Sequence, residues 1–118
     1  MAAQGEVIVP ANASEFTERL KLANESKKLI VIDFTATWCP PCRMIAPIFV
    51  EYAKKFVDVV FFKVDVDELQ AVAKEFEVEA MPTFVYMREG VVIDKVVGAA
   101  KEEIQAKLEQ HSAAVAAV

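Results

Sequence analysis

The chain has only two cysteines, and they stand together in Trp38-Cys39-Pro40-Pro41-Cys42. A thiolate attacks a disulfide sulfur, and a second thiol close by can release the mixed disulfide that forms. The motif follows an apolar run and opens a helical pattern, so Cys39 falls at a helix N-terminus. Unpaired N–H groups and the helix dipole favour an anion there. Cys42, one turn further in, is expected to be less exposed and to act as the resolving thiol. A bridge across so short a loop would stabilise by only about 2 kcal/mol before strain is subtracted, so stapling is a poor reason for the spacing. Half a zinc site is one competing reading, but a closed site wants four ligands and the sequence adds only His111. An inert buried pair is the other, and the strand-to-helix placement speaks against it.

Asp33 interrupts an apolar strand pattern just before the motif. Its side chain either turns to solvent or is a buried acid, with a raised pKa, that relays the Cys42 proton through water. Lys63, on the next strand pattern, pairs with Asp33 or is a surface lysine. Pro82, before another strand, reads on its own as a strand-initiating proline, since only about 5–6% of X–Pro bonds are cis. Trp38 alone reads as packing, and Gly98 as a turn or a point of close backbone approach.

These residues need a scaffold, and the hydrophobic pattern supplies one. Val7 to Val9, ended by Pro10, predicts an edge strand. Asn12 with Glu15 resembles a capping box ahead of a helix face made by Phe16, Leu20 and Ala23. Leu29 to Phe34 predicts a strand buried on both faces. Ile45, Ile48, Phe49, Tyr52, Ala53 and Phe56 recur at helical spacing from Pro40 to Phe56, with Pro47 expected to kink that helix. Val59 to Val64 predicts a strand, and Asp67 is expected to cap a helix from Glu68 to about Phe76. Thr83 to Met87 and Val91 to Val97 predict a hairpin through Arg88-Glu89-Gly90, with Gly90 at positive φ. Lys101 to about Gln110 predicts a last helix with Ile104 and Leu108 inward, followed by a frayed tail from Ser112 to Val118. The order is β-α-β-α-β-α-β-β-α in one domain over residues 1–118. It predicts an α/β fold with parallel crossovers between helix-separated strands, an antiparallel final hairpin and helices on both faces.

Composition narrows the function classes. The 118 residues carry a net charge of −5 and 55% hydrophobic residues. That excludes global disorder and a general nucleic-acid binder, which needs a basic patch. No uncharged stretch approaches the ~18–20 apolar residues of a membrane span. No basic-then-apolar leader is visible, so the expectation is a soluble, cytoplasmic protein.

On these residues the sequence resembles the thioredoxin family over nearly its whole length. The matching features are Asp33, Trp38-Cys39-x-Pro41-Cys42, Pro47, Lys63, Pro82-Thr83 and Gly98. The stretches Val64 to Leu69 and Val78 to Phe84 are similar to the plant h-type branch. The resemblance implies a thioredoxin fold, a five-stranded mixed sheet flanked by four helices. It implies Cys39 as nucleophile, Cys42 as resolving thiol, Asp33 as proton relay with Lys63 near it, and a cis Pro82. Trp38, Pro40, Pro41, Met81, Pro82, Gly98 and Ala99 would line the groove for a target's extended segment. Electrons would come from NADPH through a flavoprotein thioredoxin reductase, so the chain itself would bind no cofactor and no metal. The expected state is a monomer.

One residue departs from the family pattern. Pro40 stands where glycine is usual, fixing φ and removing an N–H from the first helical turn, which should raise the Cys39 thiol modestly. The leading expectation is a protein-disulfide reductase acting on target protein disulfides. The alternatives are a disulfide oxidant or isomerase, and a redox-independent binding or holdase module.

Overall fold

A strand without polar alternation needs cover on both faces, and Ile30 to Thr35 has it: every residue is buried. The computed structural model describes residues 5–116, with side chains through residue 112. Five strands, β1 (Val7–Ile8), β2 (Ile30–Thr35), β3 (Val60–Asp65), β4 (Thr83–Arg88) and β5 (Val91–Val97), form one sheet ordered β1-β3-β2-β4-β5. Four helices, α1 (Ala13–Glu25), α2 (Pro40–Lys55), α3 (Gln70–Glu75) and α4 (Lys101–Ala116), intervene in the expected order. Along β2, Val31 packs with Ile45, Phe49, Tyr52, Ile104 and Leu108 of α2 and α4. Ile30, Ile32 and Phe34 point the other way and pack with Phe16, Val72 and Ala73 of α1 and α3. Two cores therefore sandwich the central strand.

Strand direction departs from the sequence expectation in one place. β1 and β2 both run parallel to β3, but β4 runs antiparallel to β2 although a helix precedes it. α3, six residues rising about 9 Å, does not run the length of a strand of about 20 Å, and the chain does not return along the sheet before β4. β4 therefore starts at the end of the sheet where β3 stops, with Thr83 paired to Phe34 near the end of β2.

Three local expectations are corrected as well. Asp67 does not cap α3: that helix has Leu69 at its N-cap, with no side-chain cap bond, and Asp65 Oδ1 takes the Asp67 and Glu68 N–H groups at 2.8 and 3.2 Å. The expected positive φ at Gly90 (84°) is found, but Arg88 belongs to β4 and the turn narrows to Glu89 (φ 51°) and Gly90, both left-handed as a twisted two-residue hairpin demands. α4 runs to Ala116 instead of stopping near Gln110, in keeping with alanine's helix propensity. Of the tail expected to fray, residues 117–118 lie outside the described residues. The Asn12 half of the capping box forms, with Asn12 Oδ1 accepting the Glu15 N–H at 2.8 Å, while Glu15 Oε1 accepts the Ala11 N–H at 3.3 Å instead of the Asn12 N–H, and α2 continues through Pro47.

His111, weighed above only as a possible zinc ligand, is part of the tie between α4 and β5. Asp94 sits between Lys107 Nζ at 2.7 Å and His111 Nε2 at 2.9 Å. Tyr86 and Tyr52 add hydroxyl bonds to the Ile104 and Lys101 carbonyls, both at 2.8 Å. Partial burial alone would raise the Asp94 carboxyl, but the hydrogen bonds from His111, Lys107 and the Lys95 N–H outweigh it and hold it at about 2. A carboxyl lowered in the fold stabilises above its unfolded pKa of about 3.9, and that contribution fades as pH falls toward 2. Asp94→Asn is expected to cost about 1 kcal/mol at pH 7, discounted for the pair's partial exposure. Urea titrations of both proteins at pH 7, 4 and 2.5 check this. A gap that does not close with acid would show that the carboxylate charge is not what binds α4.

Candidate active site

β2 ends at Thr35, and four residues later the chain turns into α2 with Cys39 as its N-cap, in extended conformation (φ −99°, ψ 109°). Pro40 and Pro41 fill the first helical turn, where their fixed φ suits the helix and their missing N–H groups break no ladder bond. The consequence is electrostatic. Two of the N–H groups that would face an N-cap anion do not exist, and the Cys42 N–H reaches the Cys39 sulfur at 3.3 Å. Cys39 and Cys42 are joined in a disulfide with Cα atoms 5.2 Å apart.

The expected contrast in exposure between the two cysteines is absent. Cys39 is 4% exposed and Cys42 3%, because Ala36, Val66 and Met81 pack around the bridge. The exposed neighbour is Trp38, at 60%. Cys39 Sγ lies 3.6 Å from the Met81 carbonyl oxygen, which a reduced thiol can use as an acceptor.

The antiparallel entry of β4 delivers Met81 and Pro82 to this end of β2. The Met81–Pro82 peptide bond is cis. Pro82 is buried, and its carbonyl accepts the N–H of Gly98, which lies at φ 101°, at 2.8 Å. Met81 therefore lies against Cys39, Pro82 follows it, and Gly98 is bonded to Pro82. Ala99, half-buried, continues from Gly98 toward α4, and Pro40 and Pro41 are exposed beside Trp38. All the residues expected to line a groove thus fall at one end of the sheet.

Asp33 is buried, at 2% exposure, on the α2 face of β2. Its Oδ1 has no hydrogen-bond partner among the described residues. Burial pushes the carboxyl up to about 7, with the Lys63 charge opposing the shift. Lys63 stands opposite Asp33 in the β2–β3 register. One cleft is lined by Cys42, Arg43, Lys63 and Asp65, and a second by Asp33, Pro47, Phe49 and Lys63. Val9, Ala46 and Lys63 line both, so the cleft on the Cys42 side and the cleft on the Asp33 side are neighbours. Chemically the arrangement offers a two-electron dithiol–disulfide couple and an acid poised near neutrality.

Two contacts at the site are invisible in the sequence. Trp38 donates its indole N–H to Asp67 Oδ2 at 2.8 Å, and Arg43 donates to the Thr37 carbonyl at 2.8 Å. No periodicity links Trp38 to a residue 29 positions away.

Comparison with known proteins gives a consistent result. The family model described as Thioredoxin matches residues 7–110. The chain is 68% identical over 117 residues to thioredoxin H3 of Arabidopsis thaliana, covering 99% of each. It is 69% identical over 113 residues to an H-type thioredoxin of Brassica campestris, covering 96% of this chain and 92% of that protein. The crystal structure of the thioredoxin NaTrxh from Nicotiana alata superposes with a TM-score of 0.89 at 40% identity, covering 95% of this chain and 97% of that one.

The Asp33 environment yields a signed expectation. Below about pH 4 the carboxyl is protonated folded and unfolded, so it has no net effect. Between about 4 and 7 the unfolded chain ionises first, and stability falls by up to about 1.4 kcal/mol per unit. Above 7 the loss is complete. Asp33→Asn should therefore stabilise the protein by about 2–4 kcal/mol at pH 8 and hardly at pH 4. Denaturant titrations at the two values decide it, and equal effects at both would show that Asp33 is not a desolvated acid.

Proposed function

We propose a two-thiol exchange cycle for this chain, which belongs to the thioredoxin family and, at 68% identity over nearly its whole length, to the plant h-type branch. It is a protein-disulfide oxidoreductase whose redox group is its own Cys39–Cys42 pair. The observation that carries the cycle is the position of that pair, with Cys39 at the N-cap of α2 and against Met81.

In the reduced protein the Cys39 thiolate attacks one sulfur of a target disulfide. The Cys39–target bond forms, the target's S–S bond breaks, and the departing sulfur takes a proton. Cys42 then loses its proton through water in the neighbouring clefts to Asp33 and attacks Cys39 Sγ. The Cys39–Cys42 bond forms and the second target sulfur leaves as a thiol. Two electrons have moved to the target, and the protein is a disulfide again. An acid near 7 suits the relay, because it can hold or release a proton at neutral pH. Lys63 tunes it from the adjoining strand.

Target docking follows from the groove. An extended segment passes between Trp38 with Pro40 and Pro41 on one side and Met81, Pro82, Gly98 and Ala99 on the other, and meets main chain as well as side chains. Thioredoxin reductase is the family's source of electrons, and we assign its NADPH-dependent form here. We further read the chain as one thioredoxin domain that works as a monomer in the cytoplasm. No helix among the described residues is long and apolar enough to cross a membrane.

Pro40 bears on the direction as well: each lost N–H at the N-cap disfavours the thiolate and with it the reduced form, which favours the reductase direction, since a strong oxidant is one whose reduced form is stabilised. Equilibration in graded dithiothreitol or glutathione buffers, read by Trp38 fluorescence, separates the two directions. The expected potential is near or below about −250 mV, and a value above roughly −200 mV would make the protein an oxidant or isomerase. Cys39→Ser should abolish insulin reduction. Cys42→Ser should accumulate a mixed disulfide between Cys39 and its target, visible on a non-reducing gel. Retained activity in the double Ser variant would point to a redox-independent binding module.

A further inference from the structure

The exchange cycle leaves one carboxylate beside the disulfide without a task. Asp65 Oδ1, at the end of β3, accepts the N–H groups of Asp67 and Glu68 at 2.8 and 3.2 Å. This turn lifts Asp67 clear of α3, which starts only at Gln70. An aspartate at a helix entrance ordinarily serves that helix's own N–H groups. Asp67 instead accepts the indole N–H of Trp38 at 2.8 Å.

The bond matters because of what Trp38 is and where it sits. Its ring is largely exposed next to the reactive Cys39, with little packing to choose a rotamer. An unheld side chain in that position loses rotamer freedom each time a partner docks against it. The indole N–H is also the residue's only donor. Once Asp67 has taken it, the ring presents apolar surface alone. The loop is held from its other side too, where Arg43, one turn into α2, donates to the Thr37 carbonyl at 2.8 Å.

We propose that Asp67 is a positioning residue for the exchange reaction, its carboxylate holding the Trp38 indole so that the ring stands as a preset wall for an incoming protein chain. The role rests on the reductase reading above. It acts on docking of a macromolecular disulfide, since a small disulfide reaches Cys39 without needing that wall. Asp67 touches neither sulfur, so the potential of the pair is untouched.

The test mixes the reduced full-length protein with excess insulin or, separately, with hydroxyethyl disulfide, and follows loss of free thiol by alkylation and mass spectrometry. Asp67→Ala should slow insulin reduction about two- to tenfold, the span of one hydrogen bond, and leave hydroxyethyl disulfide within about twofold. Asp67→Asn keeps an acceptor oxygen and should recover most of the insulin rate. In a Trp38→Phe background, which has no N–H to hold, Asp67→Ala should cost nothing further. Unchanged insulin reduction, equal losses on both disulfides, or an undiminished loss in the Phe background would overturn the proposal. Thermal melts of each variant identify a folding defect, and a loss on insulin that tracks melting temperature counts against it as well. A parent protein that fails to reduce insulin would overturn the reductase reading itself. That outcome is distinct from an active parent with an indifferent Asp67 variant.

Discussion

Burial of β2 on both faces is the constraint from which the site follows. A strand with no solvent face needs two cores, and the helices on either side of the sheet supply them. The same burial leaves Asp33 Oδ1 with no protein hydrogen-bond partner among the described residues, and so makes it an acid near 7 instead of a spectator anion. It also fixes where the strand ends, and the reactive pair is placed by that ending. Scaffold and chemistry therefore share one cause: the desolvation that stabilises the sheet through Ile30, Ile32 and Phe34 is the desolvation that tunes Asp33.

A second constraint is the direction of β4. A parallel crossover would return the chain along the sheet and begin β4 at the far end. Here the connection through the short α3 does not return, and β4 enters beside the end of β2. That reversal brings Met81 to Cys39 and lets Pro82 accept the Gly98 N–H. Segments distant in sequence converge because β4 starts beside the end of β2.

What could be read from the sequence divides along physical lines. Strands, helices and the cap at Asn12 were legible because local periodicity and short-range hydrogen bonds leave a pattern in neighbouring residues. The Cys39–Cys42 chemistry was legible because two thiols at one spacing have few uses. The direction of β4 was not, since counting strands and helices does not tell whether a connection returns along the sheet. The near-equal burial of Cys39 and Cys42 was not, since it comes from Ala36, Val66 and Met81 closing over the bridge. Asp67 was misassigned to α3, and the tie made by His111 was not foreseen, for a common reason. Each finds its partner across the fold, Trp38 in one case and Asp94 in the other, and a polar side chain carries no sequence mark of a distant partner.

The prolines show how the site reconciles stability with reactivity. Pro40 and Pro41 start α2 well, because the first helical positions need no N–H for the ladder and gain a preset φ. The same two residues remove donors from the space facing Cys39, leaving the N-cap sulfur with the Cys42 N–H at 3.3 Å. A helix start that is better for the fold is thus a weaker anion site. The compensation is geometric: the Cys42 N–H belongs to the residue whose sulfur must attack Cys39 next. Charge leaves Cys39 Sγ in the first attack, when the bond to the target forms, and this hydrogen bond weakens then, with Cys42 already beside the sulfur it attacks next. The donor that holds the nucleophile is therefore carried by the residue that displaces the target, and closing the bridge needs only the one turn of helix that joins them.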